Sequence, residues 1–234
     1  MKQKVLLAVC TVFLIGYLDN VQGLRLAEQK CDEYRKAVAS LTPKVTGRTN
    51  EFETPPNGLA ATEGEFPHQV RVGQWFYEDD DDTAFILRCS GALISERYVL
   101  VAGHCFWTMN DEEVSLGRHD YRNNSSFPED THLVKLRVNR LPNEECTRDY
   151  AGSDYYPQGV TDQLLCAESP VEWKTACEGD AGGLLQTLVT SPSGDFYRVV
   201  GLEGKGQDCD QLHKKLTYTS VAQYLDWIES VVWK

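Results

Sequence analysis

Positive charge is scarce in this chain. Its 234 residues carry 23 lysines and arginines against 35 aspartates and glutamates, a formal charge of −12. So acidic a balance argues against nucleic acid or an anionic membrane as partner. It selects no particular protein partner, because solubility alone accounts for it. Long apolar runs are scarce too. The run at residues 5–18 is short for a bilayer span and has no stop-transfer cluster beside it. With Lys2 and Lys4 ahead of it and the small-residue site Val21-Gln22-Gly23 behind, residues 1–23 read as a secretory signal. The chain from residue 24 then has 21 basic and 34 acidic residues, a charge of −13. An even cysteine count is also lacking. Cys10 leaves with the signal, and Cys31, Cys89, Cys105, Cys146, Cys166, Cys177 and Cys209 remain. An exported chain meets an oxidising environment, so pairing is expected, and an odd number flags one thiol. No metal or cofactor pattern stands out. The acidic run at 78–82 is consecutive, whereas a cation loop places its ligands at alternate positions. It reads as a solvated hairpin tip.

Residues 24–54 are polar and lack a strand period. Within them, 27–39 is predicted as a short helix around Cys31-Asp32-Glu33-Tyr34. Residues 42–58, with Pro43, Pro55 and Pro56, read as linker. Residues 70–75 alternate as a strand would. At the other end, Val221, Tyr224, Leu225, Ile228 and Val232 recur at three- and four-residue steps, which predicts a helix over 218–233. Its apolar stripe is read as packing on the domain rather than on a membrane.

Two stretches carry chemistry. One is Ala176-Cys177-Glu178-Gly179-Asp180-Ala181-Gly182-Gly183-Leu184-Leu185, a Gly-rich turn between apolar residues. Glycines suit a turn whose N–H groups must converge on one point. The other runs from Cys89-Ser90-Gly91 through Val99-Leu100-Val101-Ala102-Gly103 to His104-Cys105. Together they resemble the G-D-S-G-G-P-L and C-G-G … T-A-A-H-C signatures of the trypsin/chymotrypsin-like serine proteases, in particular the arthropod haemolymph type. Further agreement comes from Gly64 to His68, which matches G-E-F-P-H, and from Val114 to Asp120. The resemblance covers about residues 58–234. It implies an all-β fold of two antiparallel barrels with a C-terminal α-helix. It makes residues 24–57 a pro-segment and linker, with Cys31-Asp32-Glu33-Tyr34 similar to a C-x-E-Y element. It implies the disulfides Cys89–Cys105, Cys146–Cys166 and Cys177–Cys209, and no cofactor. It gives His104 the general-base position, since an imidazole titrates near neutrality. Gly179 and Ala181 take the oxyanion-hole positions.

The departures are as informative. Ala181 stands where the family has serine, and a methyl group cannot attack a carbonyl. The family's activation sequence falls on Thr54-Pro55-Pro56-Asn57-Gly58, without its basic residue and isoleucine. Asp180, which should pair with the amine freed by cleavage, must then be solvated, protonated or differently paired. Arg48-Thr49 is a candidate cut site, six residues too early. Thr175 replaces the aspartate of a basic-specific pocket floor. Gly204 and Lys205 replace the Ser and Trp of the peptide-pairing strand that ends at Gly206, and with Thr175 the resemblance puts Gly204 and Gly206 at the specificity pocket. Asn123 and Asn124 begin two overlapping glycosylation sequons.

His104 and Ala181 lie 77 residues apart, and the family's spacing implies about sixty more. In one register Asp130 starts a degraded D-I-A-L-L and orients His104. In the other, which is favoured, residues 133–146 form the strand ending at Cys146, and a segment is missing near 121–132. Both cannot hold. On the favoured register the barrels are incomplete and leave open strand edges. The cysteine that would accept Cys31 is also lost, which leaves Cys31 as the odd thiol or as a bridge to a second chain. Three readings follow. The chain is a secreted, catalytically inactive family member that binds extracellular proteins, proteases or their substrates, in a proteolytic or immune cascade. Or it is an active serine endopeptidase. Or it is a truncated splice form or gene-model product.

Overall fold

The computed structural model describes residues 25–39, 59–62, 64–77, 83–106, 113–116, 133–170, 180–190, 194–204 and 215–234. In chain order these form α1 (Leu26–Ala39), β1 (Leu59–Ala60), β2 (Gln69–Tyr77), β3 (Thr83–Leu93), β4 (Val99–Val101), a 3-10 turn at Gly103–Phe106, β5 (Glu113–Leu116), β6 (Val134–Lys135) and β7 (Asn139–Leu141). They continue with α2 (Asn143–Asp149), β8 (Leu164–Glu168), β9 (Leu184–Val189), β10 (Phe196–Glu203), β11 (Lys215–Ser220), a 3-10 turn at Val221–Tyr224 and α3 (Leu225–Val232). The acidic run at 78–82 lies outside the described residues; the strands flanking it pair antiparallel, with Tyr77 opposite Thr83.

The strands make two larger antiparallel sheets, β4-β3-β2-β5 and β7-β8-β11-β10-β9, and a small β1-β6 pair. Neither larger sheet closes among the described residues. The all-β expectation with a C-terminal helix therefore holds, as open sheets of four and five strands. Alternation drives the first sheet. Val70 and Val72 are fully buried while Arg71 between them is partly exposed, the pattern of a strand with one face on a core.

The main core joins both sheets and both helical ends. Val70, Val72, Ala92 and Leu93 come from the first sheet, Val199 and Leu202 from the second. Val221, Leu225 and Ile228 come from the C-terminal segment, and Ala27 from α1. A smaller cluster of Leu165, Ala167, Leu216 and Tyr218 lies on the second sheet.

The C-terminal helix starts later than the periodicity predicts. Tyr218, Thr219 and Ser220 belong to β11, because that strand is bonded on both sides: Thr219 pairs with Leu164 of β8 and with Leu202 of β10. Ser220 makes no side-chain cap that would have drawn the helix start back toward it. In the predicted stripe Val221, Leu225 and Ile228 are buried, Val232 is half-buried, and Tyr224 is exposed. The predicted helix at 27–39 is present as α1. Rather than standing apart from the domain, it lies against α3 and β10.

Candidate functional site

The Gly-rich stretch feeds β9. Gly183 N–H donates to the Asp180 carbonyl at 2.8 Å, closing a four-residue turn with Ala181 and Gly182 in the middle. Gly182 has φ +73°, the left-handed value such a turn needs at its third residue. The turn is braced from two sides. Ser90 N–H on β3 donates to the Ala181 carbonyl at 2.9 Å, which ties the first sheet to the turn. Glu203 on β10 exchanges main-chain bonds with it: Gly182 N–H to Glu203 O at 3.3 Å and Glu203 N–H to Gly183 O at 2.8 Å.

The sequence-predicted base position meets this turn through a disulfide. Cys89 and Cys105 are joined, with an S–S distance of 2.02 Å. A β-carbon placed on Gly182 would stand 3.4 Å from the Cys105 Sγ. A ring nitrogen of His104 lies within 4.8 Å of both sulfurs. His104 and Ala181 thus flank one disulfide, at the junction of the two sheets. Cys89, Cys105 and His104 have the ligand types of a metal centre. With both sulfurs bonded to each other, only the imidazole nitrogen remains to donate, since the metal ligand is a thiolate.

The other residues distribute as follows. Cys146 and Cys166 are joined, linking α2 to β8. Asp180 is exposed. Gly204 is half-buried and donates its N–H to the Thr217 carbonyl at 3.0 Å. Cys31 lies half-buried on α1 and is in no disulfide among the described residues. Asn123, Asn124, Asp130, Thr175, Cys177, Gly179, Gly206 and Cys209 lie outside the described residues. So does the Cys177–Cys209 pairing.

Two features escaped the sequence reading. Glu203 is buried, 4% exposed. Its Oε2 would lie 2.9 Å from a β-carbon on Gly183, so its carboxylate sits beneath the turn. Tyr218 faces it across the β10–β11 ladder. Burial first, then the negative charges of Glu203 and Asp180, push the Tyr218 hydroxyl well above the ordinary phenol range. A lone acid between Leu202 and Gly204 in an apolar strand was the available signal. The second feature is His68, 2% exposed, whose Nε2 lies 2.5 Å from the Gln186 Oε1 of β9. Burial holds its pKa down to about 4, against the partial support of Gln186. A histidine paired 118 positions away leaves no local trace.

The comparisons with known proteins agree with this geometry. The Trypsin family model matches in two pieces, residues 56–129 and 122–228. The chain is similar to the protein named Serine protease snk of Drosophila melanogaster, 23% identical over 291 residues, covering 92% of this chain and 67% of that protein. It is similar to the Clotting factor G beta subunit of Tachypleus tridentatus, 28% identical over 101 residues, 42% of this chain and 32% of the relative. It is also similar to Transmembrane protease serine 11G of Mus musculus, 28% identical over 157 residues, 66% and 36% of the two chains. Against the last two it spans only about a third of the relative's length. Among the described residues no helix is long and apolar enough to cross a membrane. With the family model covering well over half of its length, and the braced turn, the disulfide and His104 meeting where its two sheets join, this chain belongs to the trypsin family.

Proposed function

We propose that this chain is a secreted, non-catalytic member of the trypsin family that acts by binding partners in an extracellular proteolytic or immune cascade. The single observation that carries the reading is Ala181 on the braced turn. The scaffold that would present a nucleophile is kept, and the side chain on it has no oxygen to activate. The signal-like residues 1–23 and the two disulfides support export. The Drosophila and Tachypleus relatives carry the names of a serine protease and of a clotting-factor subunit. The partners proposed are extracellular proteases or their substrates.

Restoring the hydroxyl alone should not restore turnover, because the activation sequence is altered as well. Purified wild type and Ala181→Ser are both expected to leave peptide esters uncleaved and to take up no fluorophosphonate. Hydrolysis by the wild type that His104→Ala removes would refute the reading; a labelled serine in Ala181→Ser would show instead that the altered activation sequence is no barrier.

One observation favours a second reading, a truncated splice or gene-model product. The alignment to the Drosophila protein runs over 291 residues, longer than this chain, so that relative carries stretches absent here. Genomic sequence around codons 120–133 discriminates. An intact intervening exon would support truncation, and continuous coding would not. Ala181 stands outside that region and is unaffected by either result.

A further inference from the structure

We infer that α1 is a docked subunit of the fold, held without a covalent bond, so that cutting the linker after it does not release it. The contacts lie at the N-terminal end of the helix and at Tyr34 and Arg35 in its second half. At the N-terminus the first turn has N–H groups with no partner in the helix. A carboxylate from α3 fills that role: Ala27 N–H donates to Glu229 Oε1 at 3.2 Å. Glu28 reaches back to the Arg25 N–H at 3.2 Å, half of a capping box. The Arg25 guanidinium then closes on the same acids. Its Nε lies 3.2 Å from Glu229 Oε1, its Nη2 3.3 Å from Glu229 Oε2, and Nη2 also pairs with Asp226. Such a planar fork on a carboxylate is among the stronger charged contacts.

Behind this clamp Ala27 is 1% exposed, in the core cluster that holds Val199, Leu225 and Ile228. The C-terminal half is fixed separately. Trp233 Nε1–H donates to the Tyr34 hydroxyl at 3.2 Å. The Arg35 guanidinium sits 4.4 Å from the centre of the Phe196 ring and donates to the Gly194 carbonyl at 2.9 Å. A lone helix of 14 residues is marginal in water, so α1 depends on this seat for its own structure.

The α1 side of each of these contacts precedes residue 40, whereas Arg48, a basic residue of the linker, follows it. A cut there leaves α1's half of the docking surface whole on the shorter fragment and its partners' half whole on the longer one. It removes only the effective concentration that the linker supplied.

The test uses the full chain with residues 44–50 replaced by a site for a sequence-specific protease, in a Cys31→Ser background so that no disulfide can tether the fragment. After cutting, both pieces are expected to co-elute on gel filtration as one species with unchanged helical circular dichroism. Glu229→Ala removes the cap and one side of the clamp. Loss of a charged hydrogen bond should weaken retention about 10- to 100-fold, so that the short piece separates at micromolar concentration. Arg25→Ala reads the same clamp from the other side, should Glu229→Ala not fold. Immediate separation in the Cys31→Ser background overturns the inference, as does retention that needs Cys31 and is lost with reductant. Retention unchanged in both clamp variants overturns the assignment of the clamp.

Discussion

Gly182→Ala is expected to cost about 2–5 kcal/mol, a large share of the roughly 5–15 kcal/mol that typically holds a domain together. Two effects combine. Gly182 has φ +73°, which any other L-residue adopts only against strain. A β-carbon there would also lie 2.4 Å from the Ser90 carbonyl oxygen, a main-chain atom on a paired strand that no rotamer change can move. Relief requires pulling the turn off β3 and breaking the Ser90–Ala181 bond. Gly64→Ala is the control. Gly64 has a nearly equal φ of +77°, but nothing stands within 4 Å of its would-be β-carbon. It should cost only about 1 kcal/mol, the dihedral part alone. Urea midpoints of the two variants measure the difference. Equal losses would mean that the close approach at Gly182 does not exist.

Acid should destabilise the chain through His68. Its folded pKa is about 4, below the ordinary 6.5. Between those values the unfolded chain binds a proton at this residue and the folded chain does not. Stability from this group is therefore complete above pH 6.5 and is lost as pH falls toward 4. The full loss is about 3 kcal/mol, since each tenfold difference in proton affinity between the folded and unfolded chains is worth about 1.4 kcal/mol. The groups packed around the ring are Gln186, which bonds it, and Phe66, 6.2 Å away edge-on. Glu65 titrates nearby in sequence. Burial raises its pKa, but Lys135 and Thr62 lower it further, so it too loses stability in acid. Denaturation of wild type against His68→Gln at pH 7 and pH 4.5 separates the imidazole's part from the carboxylate's. The pH dependence should flatten in the variant. Parallel profiles would mean that the imidazole is not what the acid titrates.

Much of the architecture is legible in the sequence where the signal is local. The alternation of Val70 and Val72, the bracket of Cys89 and Cys105 around a strand pair, and the helix at 27–39 all come from neighbouring residues. The boundary at Tyr218 is not, because a β-strand paired on both sides can end in residues that also suit a helical stripe. The seat of α1 is illegible for a different reason. Its partners Asp226, Glu229 and Trp233 lie about two hundred positions away, and nothing in the polar residues 25–39 announces them. At the site, Ala181 is plain at once, and its surroundings are not. Glu203 and His68 acquire their character from burial, which strand packing decides and composition does not.

The bond from Ser90 to residue 181 has a consequence for which residues that position accepts. The two sheets are fastened there through a carbonyl, an atom common to all twenty amino acids. That one bond is therefore blind to which side chain position 181 bears, while the core that Ala181 packs against limits the side chain's size. Serine and alanine at that point offer Ser90 the same acceptor, so the tie between the sheets favours neither.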